Sequence, residues 1–214
     1  MGSRSSEQKR TRQLAQGVLV AAVLTYAAVR IGFLYFSFQM ASAASLRQTV
    51  DQYNGLLMAM DELLVLSAVL GGWAFYNALE SRVRSGRALT GLAVASFALM
   101  LIAWVVIALG TGRLVYPVNG LPVIADDGLQ AAVAEIYGAW HLCDIVLGVF
   151  MISWAGSSCR PLWKCSGAAI GLAQILSTYF GQPVKPIPML IAIVLSTAWL
   201  LMRGVSSGVR QPAP

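Results

Sequence analysis

The chain is poor in charge. Of its 214 residues only 11% are Asp, Glu, Lys or Arg, while 57% are hydrophobic. A soluble domain carries about 25% charged residues, so there are too few polar groups here to cover a water-facing surface. A single histidine excludes a bis-histidine haem, and the absence of lysine from every apolar run argues against a retinal Schiff base. Neither a GxxxxGK[ST] phosphate loop nor an HExxH zinc helix occurs. Three cysteines, Cys143, Cys159 and Cys165, make an odd set with no disulfide framework. The formal charge of +6 does not point to nucleic acid, because the basic residues lie in short segments between apolar runs. There they set orientation in a bilayer. The composition leaves an integral membrane protein whose first partner is lipid.

Six apolar runs are legible, over 14–38, 56–78, 88–110, 136–155, 166–180 (a span of 162–180 if it starts at Leu162) and 187–203. A crossing of the hydrocarbon core takes about 20 residues, and the first four runs qualify outright. The fifth is short unless it starts near Leu162, and the sixth is near the lower limit. A basic leader, an apolar stretch and "MASAAS" resemble a signal peptide, but the first run is longer than the roughly 7–15 residues of a signal core. It is expected to be retained as a helix. Residues 1–13 then form a basic tail, 14–205 a single all-α domain of six transmembrane helices, and 206–214 a second tail. Eleven Lys and Arg fall in the N-terminal tail, the second and fourth connections and the C-terminal tail. Only Arg47, Arg113 and Lys185 lie in the alternate connections. This asymmetry predicts both termini on the cytoplasmic side of a bacterial inner membrane. Within the longest connection, "DDGLQAAVAE" has the acidic start expected of a helix N-terminus, either as an amphipathic lid or as an extension of the fourth helix.

The stretch "EIYGAWHLCDIVLGVFMISW" carries His141 and Asp144 inside a run otherwise suited to hydrocarbon. Ionisable groups there are costly and mark functional sites by default. With a rise of 1.5 Å per residue, His141 and Asp144 lie roughly 8 and 13 Å below the outer end of their helix. Asp61 and Glu62 of the second helix fall at about 9–10 Å, Arg30 of the first at about 12 Å, and Gln174 of the fifth at about 9 Å. Four helices thus place ionisable or amide groups in one layer of the outer half. Arg30 can neutralise one of three carboxylates, and the others need a proton, a metal, water or a ligand.

Several uses of such a layer follow. It can bind a small ligand, ion or lipid, with Arg30, His141 and Gln174 as contacts. It can supply a buried acid, from Asp61, Glu62 or Asp144, to a membrane enzyme acting on a lipid or isoprenoid. Trp73, Phe75, Trp104, Trp140 and Tyr179 are candidate walls for such a substrate. A divalent metal on His141, Asp144 and Asp61 is a weaker option, with one histidine for it. The same groups can also hold helices together, with the chain an accessory subunit of a membrane complex. Gly71-Gly72 and the "GAAIG" of Gly167 and Gly171 suit close helix packing.

The passage "WHLCDIVLGVFMISWAGSSCRPLWKCSGAAIGLAQIL" and the closing "STAWLLMRGV" resemble a bacterial family of six- to seven-helix membrane proteins of unknown function. Gly148, Pro161 and Trp199 to Gly204 match its pattern of a Gly-containing helix, a basic turn with proline, a small-residue helix and a terminal "WLL..G". The resemblance implies a helical bundle and brings no catalytic residues. Small integral-membrane terpene cyclases look similar in having carboxylates within a compact bundle. The last helix here lacks an acid, so that likeness reaches only the second helix.

Overall fold

The computed structural model describes the backbone of residues 2–42, 45–83, 88–117, 124–158, 160–179 and 186–207, and the side chains of most of these. Among the described residues the chain is all-helical: α1 (Gly2–Ser42), α2 (Leu46–Gln52), α3 (Asn54–Val83), α4 (Ala88–Val115), α5 (Asp126–Gly156), α6 (Pro161–Tyr179) and α7 (Pro186–Ser207). The expected run at 56–78 corresponds to α3, and the other expected helices have their counterparts in order. The short α2 was not foreseen from hydropathy. Its start is set by Ser45, whose hydroxyl accepts from the Gln48 amide at 3.5 Å, a cap that satisfies one of the free N–H groups of a helix start. "DDGLQAAVAE" is continuous with α5 and extends that helix. Pro161 opens α6, where its missing N–H costs nothing. The side chains of the N-terminal basic tail, Arg82, Arg84, Arg87, Cys159, Lys185 and Arg210 lie outside the described residues.

Five helical segments are long and apolar enough to cross a membrane: Gln13–Met40, Asn54–Tyr76, Ala88–Val115, Gly128–Gly156 and Pro186–Arg203. Large apolar side chains such as Leu24, Val69, Ile102, Leu109 and Val194 are exposed on their outer faces. Five such helices with apolar exteriors make this a multi-pass membrane protein. The helix α6 has 19 residues, and Lys164 and Gln174 lower its apolar character.

The helices form a closed ring in the order α1, α3, α4, α5, α6, α7 and back to α1. Contacts at both ends of each pair give the directions. Gly32 lies against Met60 and Gly71 near Ala22, so α1 and α3 are antiparallel. Gly72 sits near Leu101, Gly110 against Ile136 and Gly156 against Leu89, so α4 opposes both α3 and α5. Gly148 meets Gly171, and Gly167 meets Ala155 and Trp199. The bond from Gln174 to Ser196 and the Trp163–Trp199 contact then set α7 against α6. Therefore α3, α5 and α7 run one way, and α1, α4 and α6 the other. The middle of the ring is filled by side chains of α1 and α5, with Phe33 packed on Trp140 at 5.2 Å.

Some buried hydroxyls are satisfied within their own helices. Thr111 donates to Ile107 O and Ser153 to Val149 O, each at 2.7 Å. This is how a hydroxyl is carried in an apolar interior without a neighbour. Outside the ring, α2 is tied to the start of α5 by Arg47, which donates to Asp126 Oδ1 at 2.7 Å and to the carbonyl of Ile124.

Candidate functional site

Arg30 and Asp144 form the centre of the polar layer. Asp144 is 0% exposed and Arg30 3%. Arg30 Nη2 donates to Asp144 Oδ2 at 2.5 Å and Nε to Oδ1 at 3.3 Å. This two-point fork is the geometry that suits guanidinium and carboxylate. Gln174 Nε2 adds a third donor to Asp144 Oδ1 at 3.0 Å, and Ser196 Oγ lies 2.7 Å from Gln174 Oε1. The guanidinium stacks over Trp140 with its carbon 4.7 Å from the ring centre, and Met189 Sδ lies 3.2 Å from Nη2. One chain of contacts therefore links α1, α5, α6 and α7. The pair is neutral, and both carboxylate oxygens are occupied as acceptors, so neither faces a substrate.

The remaining members of the expected layer point elsewhere. His141 shares a helix with Asp144, yet its Nδ1 lies 2.7 Å from Thr178 Oγ1 and its ring meets Tyr179 edge-on at 5.0 Å. It belongs to the α5–α6 seam. Glu62 is exposed and accepts from the Tyr116 hydroxyl at 3.3 Å. Asp61 is half-buried beside Gly112 of α4, and its Oδ1 is buried with no hydrogen-bond partner among the described residues. The structure thus brings Arg30, Asp144 and Gln174 together and leaves Asp61, Glu62 and His141 apart from them. The joint set of His141, Asp144 and Asp61 considered from the sequence does not form: α3 sits between α1 and α4, and its carboxylates turn toward α4. Among the described residues no three His, Cys, Asp or Glu side chains converge, so the donor set of Asp61, His141 and Asp144 does not assemble around a metal.

Sequence reasoning missed Ser196, Met189 and Tyr26. Ser196 interrupts an apolar run at a depth near that of Gln174, which was a usable signal. Met189 and Tyr26 gave none, since each is ordinary in a membrane helix.

One turn from the pair, toward Ala22 along α1, lies a cavity of about 50 Å³, partly open to the surface. Tyr26 precedes Arg30 by one turn of α1, and Leu147 follows Asp144 by less than one turn of α5. Both line it, together with Ala22, Gly71, Phe75, Phe97, Met100, Trp104, Phe150, Trp154 and neighbouring leucines and valine. The wall is almost wholly carbon. Its aromatic rings brace one another: Tyr26 stacks on Trp104 at 4.9 Å, Phe75 on Phe97 at 3.9 Å, and Phe150 packs on Trp154 at 5.1 Å.

No family model, no curated protein and no solved structure matches this chain.

Proposed function

We propose that this chain is a six-crossing protein of a bacterial inner membrane, with both termini cytoplasmic, that binds a small, largely apolar ligand or lipid chain inside the bundle. The observation that carries the binding is the aromatic cavity beneath the Arg30–Asp144 pair. A void is normally closed by collapse or by larger side chains, because empty space forfeits dispersion contacts. Here the walls are held open by stacked rings, and above them a neutral four-helix hydrogen-bond network fixes α1 against α5. The site first expected among the polar groups of the outer half is, in this proposal, a rigid roof, and the ligand lies one turn below it. An end of an acyl or prenyl chain entering from the bilayer suits the size and the partial opening.

The parallel course of α5 and α7 supports six crossings. If both cross in the same direction, the chain between them must return, and α6 runs antiparallel along both. The basic residues of the even connections support the orientation. With the native cysteines replaced by serine, single cysteines Asp51→Cys and Arg160→Cys are expected to label from opposite faces of sealed vesicles. Labelling of both from one face rejects the topology.

The binding is tested by native mass spectrometry of the protein released from membranes. Wild type should keep a hydrophobic adduct that Gly71→Leu loses. A Cβ at Gly71 meets Ala22, Phe97 and Trp104 at ordinary contact distances of 3.8–3.9 Å, so the larger side chain grows into the cavity without displacing backbone. Bare protein in both cases defeats the proposal and leaves the network as helix packing. A second reading, a membrane enzyme with a buried acid on a lipid or isoprenoid, is favoured only by the unpartnered Oδ1 of Asp61. Loss of turnover in Asp61→Asn, with Asp144→Asn active, is its signature.

A further inference from the structure

The size of the cavity limits what can fill it. At about 50 Å³ it has roughly a third of the volume of a cavity of about 150 Å³ that takes up one benzene. By proportion it seats about two carbon groups. A whole molecule that small binds weakly: at the ceiling reached by the best small ligands, its dissociation constant is about millimolar. A free ligand would leave the site empty at ordinary concentrations. A longer molecule escapes this limit only if most of it stays outside and needs no contact there.

The opening shows where that remainder lies. Of the lining residues, only Leu19 and Val23 of α1 and Phe97 of α4 are also partly exposed. All three are apolar and fall within Gln13–Met40 and Ala88–Val115, two of the segments long enough to cross a membrane. The mouth is therefore bordered by carbon and faces the bilayer, where hydrocarbon chains are the surrounding medium. A chain already dissolved there loses little when its end turns into the cavity, because lipid tails and the wall are equally apolar. Only an end fits, since a mid-chain loop needs room for two limbs. Resting on the binding proposed above, we infer that the occupant is the methyl end of an acyl chain of a bilayer phospholipid, seated with no contact to its headgroup. The three-carbon fork that ends a prenyl chain exceeds the space, whereas a straight end enters one carbon at a time. A polar end is excluded by the same wall, whose surface is almost wholly carbon.

Trp104 and Trp154 line the cavity, and bromine quenches indole emission on contact. The test places wild type and Gly71→Leu in vesicles of phosphatidylglycerol whose acyl chains carry bromine at the methyl end. Quenching of wild type is expected to exceed that of Gly71→Leu, by up to the share of two of the six tryptophans. The other indoles meet lipid equally in both proteins, so the difference isolates the cavity. Phosphatidylcholine with the same brominated chains should give the same excess, and bromine near the ester end a smaller one. Gly71→Val, with a shorter side chain, takes the place of Gly71→Leu should that variant fold poorly. Equal quenching of wild type and the filled variant overturns the inference. So does an excess confined to one headgroup, or one as large with bromine near the ester. Pentane then separates this inference from the binding it rests on. If pentane raises the melting temperature of wild type in unlabelled vesicles more than that of Gly71→Leu, a free apolar molecule is the occupant and the binding stands. No difference between the two proteins with either probe defeats the binding as well.

Discussion

Arg30→Ala is expected to cost about 3–5 kcal/mol of stability, because it leaves the fully buried Asp144 without its counter-ion. Only Gln174 would still donate to that carboxylate, from 3.0 Å, and a single amide hydrogen bond does not offset an unpaired charge in a low-dielectric interior. Adding Asp144→Asn to the same chain should recover part of the loss, since the charge is gone and the Gln174 contact can persist. Replacing both members by apolar groups, Arg30→Met with Asp144→Leu, should come close to wild-type stability or exceed it, as buried pairs are often no better than well-packed carbon. The series is read by thermal unfolding in micelles. Failure of every Asp144 replacement to rescue Arg30→Ala would mean that Arg30 reaches the interface in the native protein and that the fork is not its working geometry. The apolar double variant also separates roof from site. If it is stable and still retains ligand, the pair positions α1 against α5 and touches nothing else.

The elements of this fold were legible because bilayer dimensions leave a simple length signal. Each expected run has a helix at its place, and the fifth, doubtful by composition, is present as α6. The level of a charged residue along its own helix needs only the rise per residue. Direction around the helix axis was not legible. Asp61 and Asp144 were expected at similar depths, yet one faces α4 and the other the α1–α6–α7 side, and that difference depends on the order of helices in the ring. Hydropathy is silent there, because lipid and protein interior are equally apolar. What does mark the inner faces is small and polar residues: Gly167, Gly171, Gln174 and Ser177 are all on the buried side of α6. The aromatic cavity was half visible. Phe75 and Trp104 were candidate wall residues and line it. Trp73 and Tyr179, proposed with them, are exposed, and Trp140 instead carries the Arg30 guanidinium. Phe150 of the fourth run also lines the cavity and meets Phe75 of α3 at 5.0 Å. Tyr26 and Trp154 gave no sign, because an aromatic residue in a membrane helix is more often packing or an interface anchor.

The other large effect is expected at the α5–α6 seam. Gly148 and Gly171 face each other there with backbone against backbone. A Cβ added at Gly148 would sit 2.5 Å from Gly171 O, and one at Gly171 would sit 2.6 Å from Gly148 O. A carbonyl oxygen within a helix cannot rotate out of the way as a side chain can, so any substituent must push the two helices apart. Close approach of this kind is what small residues provide between membrane helices, where dispersion contacts and interhelical hydrogen bonds replace the hydrophobic effect. Separation by a methyl group or more would also lengthen the Gln174–Asp144 bond at 3.0 Å and the His141–Thr178 contact at 2.7 Å, which join the same two helices one to two turns away. Overpacking alone costs about 1–3 kcal/mol, and loss of a hydrogen bond to a charged group adds about 1.5–3 kcal/mol. Gly171→Leu is therefore expected to destabilise by about 3 kcal/mol or more, with Gly171→Ala intermediate. Gly138→Ala is the control on the same helix as Gly148: nothing lies within 4 Å of its added Cβ, and alanine is the better helix former. It should leave stability unchanged or slightly raised. Equal behaviour of Gly171→Leu and Gly138→Ala in thermal unfolding would show that α5 and α6 are not in backbone contact, and would remove the support that holds Gln174 beneath Asp144.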